Sequence, residues 1–366
     1  MQKRVIISGG GTGGHIFPAV SIAGEIKRRD PDAEILFVGA KGGMELDVVP
    51  RYGYKIEAVW ISGIHRQITL RNIRRNLLFP IKLASSLLNA GKIVRRFKPQ
   101  CVVGVGGYAS GPVGRVASGR GLPLFLCEQN AYPGLVNRWL AKRATRILLG
   151  NADAGKYFPK EKIQVTGNPI RSFELPDRAS AATQMGLDPE RPIVLSLGGS
   201  LGALTLNEAF KKDALRFAEA GVQLVWQCGK GYYEKLKPQV PEHKDIRLMA
   251  FIEDMAAAYA AADIVISRAG GSTISELTAL SKPAILVPSP NVSEDHQTKN
   301  ALSLSEKGAA HLVKDVDARE QLVTESLAII KDSARLKELT TAISKMEKHD
   351  AAKEIVDAIY KEMKWT

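Results

Sequence analysis

Three times in this chain a run of apolar, mostly β-branched residues ends in a cluster of glycines. Val5-Ile6-Ile7 leads into Ser8-Gly9-Gly10-Gly11-Thr12-Gly13-Gly14-His15, and Val102-Val103 into Gly104-Val105-Gly106-Gly107-Tyr108-Ala109-Ser110-Gly111. Ile193-Val194-Leu195 leads into Gly198-Gly199-Ser200-Leu201-Gly202-Ala203. A buried strand that turns through glycines into a helix lets backbone N–H groups approach an anion at the positive helix end. Three such turns in two separated halves predict a chain that holds more than one phosphate.

The rest of the sequence fits that frame. Apolar runs alternate with helix-length segments at 4–8, 34–39, 55–60, 101–106, 123–128, 146–150 and 163–167. A second series follows at 192–198, 222–229, 246–251, 263–267, 283–288 and 311–313. Strands that are apolar throughout, spaced by helices, predict parallel sheets covered on both faces. At 366 residues, two domains are expected. The composition shifts after Gly167, so the reading is α/β: residues 1–167 with about 350–366 as one doubly wound Rossmann-like domain, and 168–349 as the other, facing each other across a cleft. Ala351 to Met363 reads as an amphipathic helix expected to pack back on the first domain.

Composition narrows the function. No uninterrupted apolar run reaches 18 residues, so no spanning helix is expected, and Met1-Gln2-Lys3-Arg4 passes straight into a strand, so no cleavable leader is expected. Cys101, Cys127 and Cys228 have no metal-type spacing and read as reduced core thiols. The net charge of +13 is unevenly placed: Ala58 to Cys127 contains no Asp or Glu, yet many Lys and Arg, from Arg66 to Arg120. Such a field attracts phosphates. Within it, apolar positions 70, 73, 77, 81, 84 and 88 approximate one helical face. Basic flanks suit an interfacial membrane anchor, although helix statistics alone favour a core helix with a solvated basic side. The stretch lacks interleaved aromatics, so nucleic acid is not expected as a partner.

Gly9-x-Gly11-x-x-Gly14 matches the dinucleotide fingerprint, but the second strand, Glu34 to Lys41, ends without the acid that would hold a ribose. An NAD site is therefore not expected. His15, at the helix start, is placed either to take a proton from a hydroxyl or to cap the helix and bind phosphate. Ser267 to Glu276 reads as strand, glycine turn and helix, with Glu276 where a carboxylate receives ribose hydroxyls. Downstream, His296, Gln297 and Asn300 offer imidazole and amide groups suited to sugar hydroxyls. The acidic pairs Asp30/Asp32 and Asp315/Asp317 follow no nucleotide turn. Gly-x-Ser-x-Gly, Cys-x-x-Cys and Gly-Lys-Ser/Thr motifs are absent.

Gly9 to Ala19, Gly106 to Pro112, Glu128-Gln129-Asn130, Gly167 to Arg171, Gly198 to Ala203, Ser267 to Gly271 and His296 to Ala301 occur in an order that resembles the MurG family of peptidoglycan N-acetylglucosaminyltransferases. The resemblance spans essentially the whole chain. It implies a GT-B fold and inverting transfer of GlcNAc from UDP-GlcNAc to the MurNAc C4 hydroxyl of undecaprenyl-diphosphate-MurNAc-pentapeptide (lipid I), giving lipid II. It implies no metal and no cofactor, and peripheral attachment to the anionic cytoplasmic face of the cell membrane. Other cell-wall synthesis proteins are conceivable partners.

By position, Gly10, Gly11, Gly13, Gly14, Gly106 and Gly107 would hold the acceptor diphosphate. Arg171, Ser200, Ile252, Glu276, His296, Gln297 and Asn300, with Thr12, Gly13, Gly14 and Asn130, would contact UDP-GlcNAc. His15, Thr12, Tyr108 and Asn130 would line the reaction centre, with His15 as base. Leu201 stands where relatives often carry glutamine. The resemblance also turns the basic stretch into a membrane patch of Leu77, Phe79 and Ile81. Two alternatives share the architecture: sugar transfer to another lipid such as diacylglycerol, and UDP-GlcNAc epimerisation.

Overall fold

The computed structural model describes residues 2–63, 77–170, 174–199, 201–292 and 295–366. The chain forms two compact units: Met1–Arg171 with His349–Thr366, and Ser172–Lys348. Asn168 to Ile170 belong to the first unit rather than opening the second. The cause is local: Asn168 Nδ2 donates to the Gln129 carbonyl at 2.9 Å, and His349 packs beneath Gly167.

The first unit is built on seven strands: β1 (Arg4–Ser8), β2 (Glu34–Ala40), β3 (Lys55–Val59), β4 (Cys101–Gly104), β5 (Leu124–Glu128), β6 (Arg146–Leu149) and β7 (Ile163–Val165). They lie in the order β3-β2-β1-β4-β5-β6-β7, all parallel. Side-chain alternation divides them between two cores. Val5, Ile7, Val103 and Phe125 face the Gly13–Arg29 and Ala351–Met363 helices, while Ile6, Val102, Leu124 and Leu126 face the Phe79–Phe97 and Ser110–Gly119 helices. Both faces of the central strands are covered, which is why β1, β2, β4, β5 and β6 are largely apolar, whereas the edge strands β3 and β7 carry Lys55, Glu57 and Gln164.

The C-terminal helix completes the first of these cores with Ile355, Val356 and Ile359. Arg29 Nη1 reaches Asp357 Oδ1 at 2.7 Å and Arg146 Nε reaches Glu362 Oε1 at 2.6 Å, so it is pinned to the first helix and to β6.

The second unit repeats the plan with β8 (Ile193–Leu197), β9 (Gln223–Gln227), β10 (Ile246–Met249), β11 (Ile264–Ser267), β12 (Ala284–Leu286) and β13 (His311–Leu312). The order is β10-β9-β8-β11-β12-β13, again all parallel. Trp226, Phe210 and Phe217 anchor one core, all fully buried. Tyr259, Leu195 and Leu286 sit in the other. In each sheet the chain direction of winding reverses once, between β1 and β4 and between β8 and β11. Crevices at the carboxyl ends of such switch points are where open α/β sheets bind ligands.

Candidate active site

The first switch point brings two of the glycine turns into backbone contact. Ser8 pairs with Gly104 at the strand ends. A Cβ placed on Gly107 would lie 2.4 Å from the Gly10 carbonyl oxygen, and one on Gly9 would lie 2.6 Å from that of Gly106. Gly107 also sits at φ +79°, so no other residue fits this approach. The Gly13–Arg29 helix starts here with no acid in its first turn and no capping hydrogen bond from Thr12. Its positive end carries no carboxylate of its own first turn, although Glu45 sits beside it and accepts from Gly11 N.

His15 lies between the two turns. Its Nδ1 is 3.0 Å from the Gly10 carbonyl oxygen and 3.3 Å from Thr12 Oγ1. A carbonyl can only accept, so Nδ1 carries a proton, and in the neutral ring Nε2 is the basic nitrogen. The Nε2 edge faces Gly106, where a Cβ would stand 2.8 Å from it. Tyr108 is partly exposed, its ring against Gly63.

Asn130 is set by Glu128, a buried carboxylate at the end of β5. Glu128 accepts from Asn130 N (3.0 Å), Asn130 Nδ2 (3.2 Å), Gly134 N (3.0 Å) and Asn137 Nδ2 (2.9 Å). Burial pushes its carboxyl above the ordinary glutamate value, and these four donors pull it back. Burial outweighs the four donors, so the net shift of Glu128 is upward. Beside it, Gln129 Nε2 donates to the Val105 carbonyl at 3.0 Å.

The second switch point is organised by Gln227, which the sequence did not single out. Its Nε2 donates to the Gly199 carbonyl at 3.0 Å, and its Oε1 accepts from the Ile252 amide at 3.1 Å. One buried amide thus fixes both the glycine turn after β8 and the segment after β10. Because the Ile252 N–H is engaged, a base edge read at Ile252 must use its carbonyl or share that amide. Phe251 beside it is exposed, with Lys230 Nζ 5.2 Å from its ring centroid.

After β11, the Gly271–Ala279 helix begins at Gly270, again without a side-chain cap or first-turn acid. Glu276 lies on this helix, and its Oε2 accepts from the hydroxyl of the buried Tyr259 at 2.7 Å. His296 opens the His296–Ser305 helix. Gln297 Oε1 accepts from Ser289 N at 2.9 Å, and Asn300, buried, donates to the Ala269 carbonyl at 3.0 Å. These two amides brace the turns after β12 and β11. Arg171 and Ser200 lie outside the described residues.

The expected site residues thus group by unit. Gly10, Gly11, Thr12, Gly13, Gly14, His15, Gly106, Gly107, Tyr108 and Asn130 gather at the carboxyl ends of β1, β4 and β5. Ile252, Glu276, His296, Gln297 and Asn300 gather at those of the second sheet. Sequence reasoning missed Glu45, Gln227 and Tyr259, each of which holds a partner 17 or more residues away in the chain.

The basic stretch divides likewise. Residues 64–76 lie outside the description. Beyond them Leu77 (72% exposed), Ile81 (58%) and Leu88 (72%) form an outward stripe with Ala84. Phe79 departs from it, because it packs with Leu83 against the core beneath. No helix among the described residues is long and apolar enough to cross a membrane.

Comparison with known proteins bears on the whole chain. The family model described as the glycosyltransferase family 28 N-terminal domain matches residues 5–149, and that for the C-terminal domain matches residues 193–355. A protein of Cytophaga hutchinsonii is 48% identical over 360 residues, covering 98% of this chain and 96% of its own length. One of Parabacteroides distasonis is 47% identical over 367 residues, covering 99% of each. Both are named UDP-N-acetylglucosamine–N-acetylmuramyl-(pentapeptide) pyrophosphoryl-undecaprenol N-acetylglucosamine transferase. Among solved structures, MurG of Acinetobacter baumannii superposes with a TM-score of 0.75 at 28% identity, over 98% of this chain and 99% of that one. A UDP-N-acetylglucosamine 2-epimerase, 13% identical with a TM-score of 0.63, shares the fold.

Proposed function

This chain belongs to glycosyltransferase family 28, and on that premise we propose that it moves GlcNAc from UDP-GlcNAc to the MurNAc C4 hydroxyl of lipid I, forming lipid II. The full-length identity to transferases named for that reaction carries the reading. The paired glycine turns at β1 and β4 support a diphosphate-bearing acceptor over a neutral lipid, and a separate acceptor site favours transfer over epimerisation.

In the reaction, the acceptor hydroxyl oxygen attacks the anomeric carbon from the face opposite UDP. The new C–O bond forms as the bond to the β-phosphate oxygen breaks, UDP leaves with the electron pair, and the configuration inverts. His15 Nε2 takes the hydroxyl proton, its ring held by the Gly10 carbonyl. Helix N-termini and Arg171 offset the charge growing on the departing diphosphate. Glu276, held by Tyr259, receives the ribose hydroxyls. No metal is required. The Leu77, Ile81 and Leu88 stripe rests on the anionic cytoplasmic face of the membrane, where lipid I is presented.

The test is transfer of labelled GlcNAc from UDP-GlcNAc to a short-chain lipid I analogue in the presence of EDTA. A labelled disaccharide lipid with released UDP is the expected result. Donor binding without transfer overturns the acceptor assignment, and loss of transfer in EDTA overturns metal independence. Turnover unchanged in His15→Ala removes His15 as the base.

A further inference from the structure

Glu45 has no part in the reaction as described, yet it is one of the most confined charged side chains in the molecule. It opens the short helix Glu45–Val48 and is 1% exposed. Its Oε1 accepts from Ala40 N at 2.8 Å and its Oε2 from Gly11 N at 2.9 Å. It fills the space beside three glycines: a Cβ on Gly10, Gly39 or Gly43 would lie 2.2, 2.4 or 2.4 Å from its atoms.

The amide it grips belongs to the same peptide group that holds His15. Gly11 N–H and Gly10 C=O are two ends of one conjugated unit. The N–H end points at the Glu45 carboxylate, and the C=O end meets His15 Nδ1 at 3.0 Å. A negative charge on the N–H end shifts electron density toward the carbonyl oxygen and strengthens what that oxygen accepts.

We propose that Glu45 is a positioning residue that acts on His15 through the Gly10–Gly11 peptide. Its carboxylate makes the Gly10 oxygen a stronger acceptor, holds the imidazole in the Nδ1–H tautomer and stabilises the imidazolium formed when Nε2 takes the acceptor's proton. The arrangement is a carboxylate–histidine pair with a peptide interposed, where direct pairs orient and charge-stabilise the ring. The inference rests on the reading of His15 as the base.

Other ionisable groups stand on the elements around this loop. Lys41 follows β2, Asp47 shares the Glu45 helix, Tyr108 follows β4, Glu128 ends β5, and Glu25 is the acid on the His15 helix. Glu45 meets the peptide directly.

The test is nuclear magnetic resonance of the full chain with ¹⁵N-histidine labelling, titrated with pH. The His15 signal is identified among the six histidines by its loss in His15→Asn. The wild-type ring is expected as the Nδ1–H tautomer. Glu45→Gln should lower the His15 midpoint by about half to one pH unit, move the ascending limb of kcat/KM to lower pH by the same amount, and reduce kcat about tenfold with KM for UDP-GlcNAc unchanged. Glu45→Asp, which keeps the charge but shortens its reach, should fall between and serves if Glu45→Gln does not fold. An unchanged His15 midpoint and tautomer in whichever variant folds overturns the proposal and leaves Glu45 a loop-filling residue. Full turnover in His15→Ala would instead remove the base reading, while the resonance titration still decides the coupling.

Discussion

Gly202→Ala is expected to disable the glycine turn after β8, which by the proposed function holds the donor phosphate, and Gly199→Ala is its control. Both glycines have left-handed backbones, at φ +80° and +75°. Alanine at either therefore costs about 1–2 kcal/mol in backbone strain. They differ in surroundings. A Cβ on Gly199 meets nothing within 4 Å, whereas one on Gly202 would lie 2.1 Å from the Cys228 carbonyl oxygen and 2.8 Å from the Tyr232 ring. The first contact falls more than an ångström short of van der Waals distance, and backbone lies on both sides of it. Parting the turns after β8 and β9 adds about 1–3 kcal/mol, as overpacking does elsewhere. Gly202→Ala should thus cost about 2–5 kcal/mol and Gly199→Ala about 1–2 kcal/mol. A turn displaced by an ångström loses at least one amide contact to phosphate, a charge-assisted hydrogen bond of about 1.5–3 kcal/mol. UDP-GlcNAc should then bind at least about tenfold more weakly. Urea unfolding and donor titration calorimetry on the two variants measure both effects. Equal urea midpoints and equal donor affinities would refute the steric reasoning.

Three further outcomes follow from contacts already described. Tyr259→Phe removes the hydroxyl that holds Glu276 and should weaken UDP-GlcNAc binding by about tenfold in calorimetry, the scale of one hydrogen bond to a charged group. Glu128 titrates above the ordinary value of 4.5. The folded chain keeps its proton where the unfolded chain has lost it, so Glu128's contribution to stability falls as pH rises from about 4.5 toward its folded value. Urea midpoints between pH 4 and 8 should show less of this decline in Glu128→Gln. Leu77→Ser with Ile81→Ser and Leu88→Ser should reduce cosedimentation with anionic liposomes at least about tenfold, since each exposed side chain offers up to about 1.5–3 kcal/mol of burial. Phe79→Ser should instead lower the unfolding temperature, because that ring packs inward.

All thirteen strands stand where apolar runs predict them, since a strand covered on both faces must be apolar throughout. Most end short of the runs: Val105 is as apolar as Val103, yet β4 stops at Gly104, where the turn begins. The site was legible wherever backbone geometry demands glycine. Side chains that brace those glycines were not, because a buried carboxylate such as Glu45 looks like any surface acid until its partners at Gly11 and Ala40 are known. Helical spacing puts Asn300 one turn beyond His296 but does not say what it faces. The fold turns its amide to the Ala269 carbonyl. Phe79, two residues past Leu77, falls on the opposite side of the helix from that stripe, and the core beneath takes its ring.

The helix Ala351–Met363 carries a consequence for how the chain is made. It fills the core beside β1 and the first helix, so the unit made first lacks one of its walls until residues 351–363 have been made. The second unit, Ser172–Lys348, has its whole sequence available earlier. Domains usually fold in the order they are synthesised. Here that order meets an obstacle, because Val5, Ile7, Ile22 and Ile26 are covered only once residues 351–363 have been made. A chain ending before residue 351 would leave that apolar face bare to solvent.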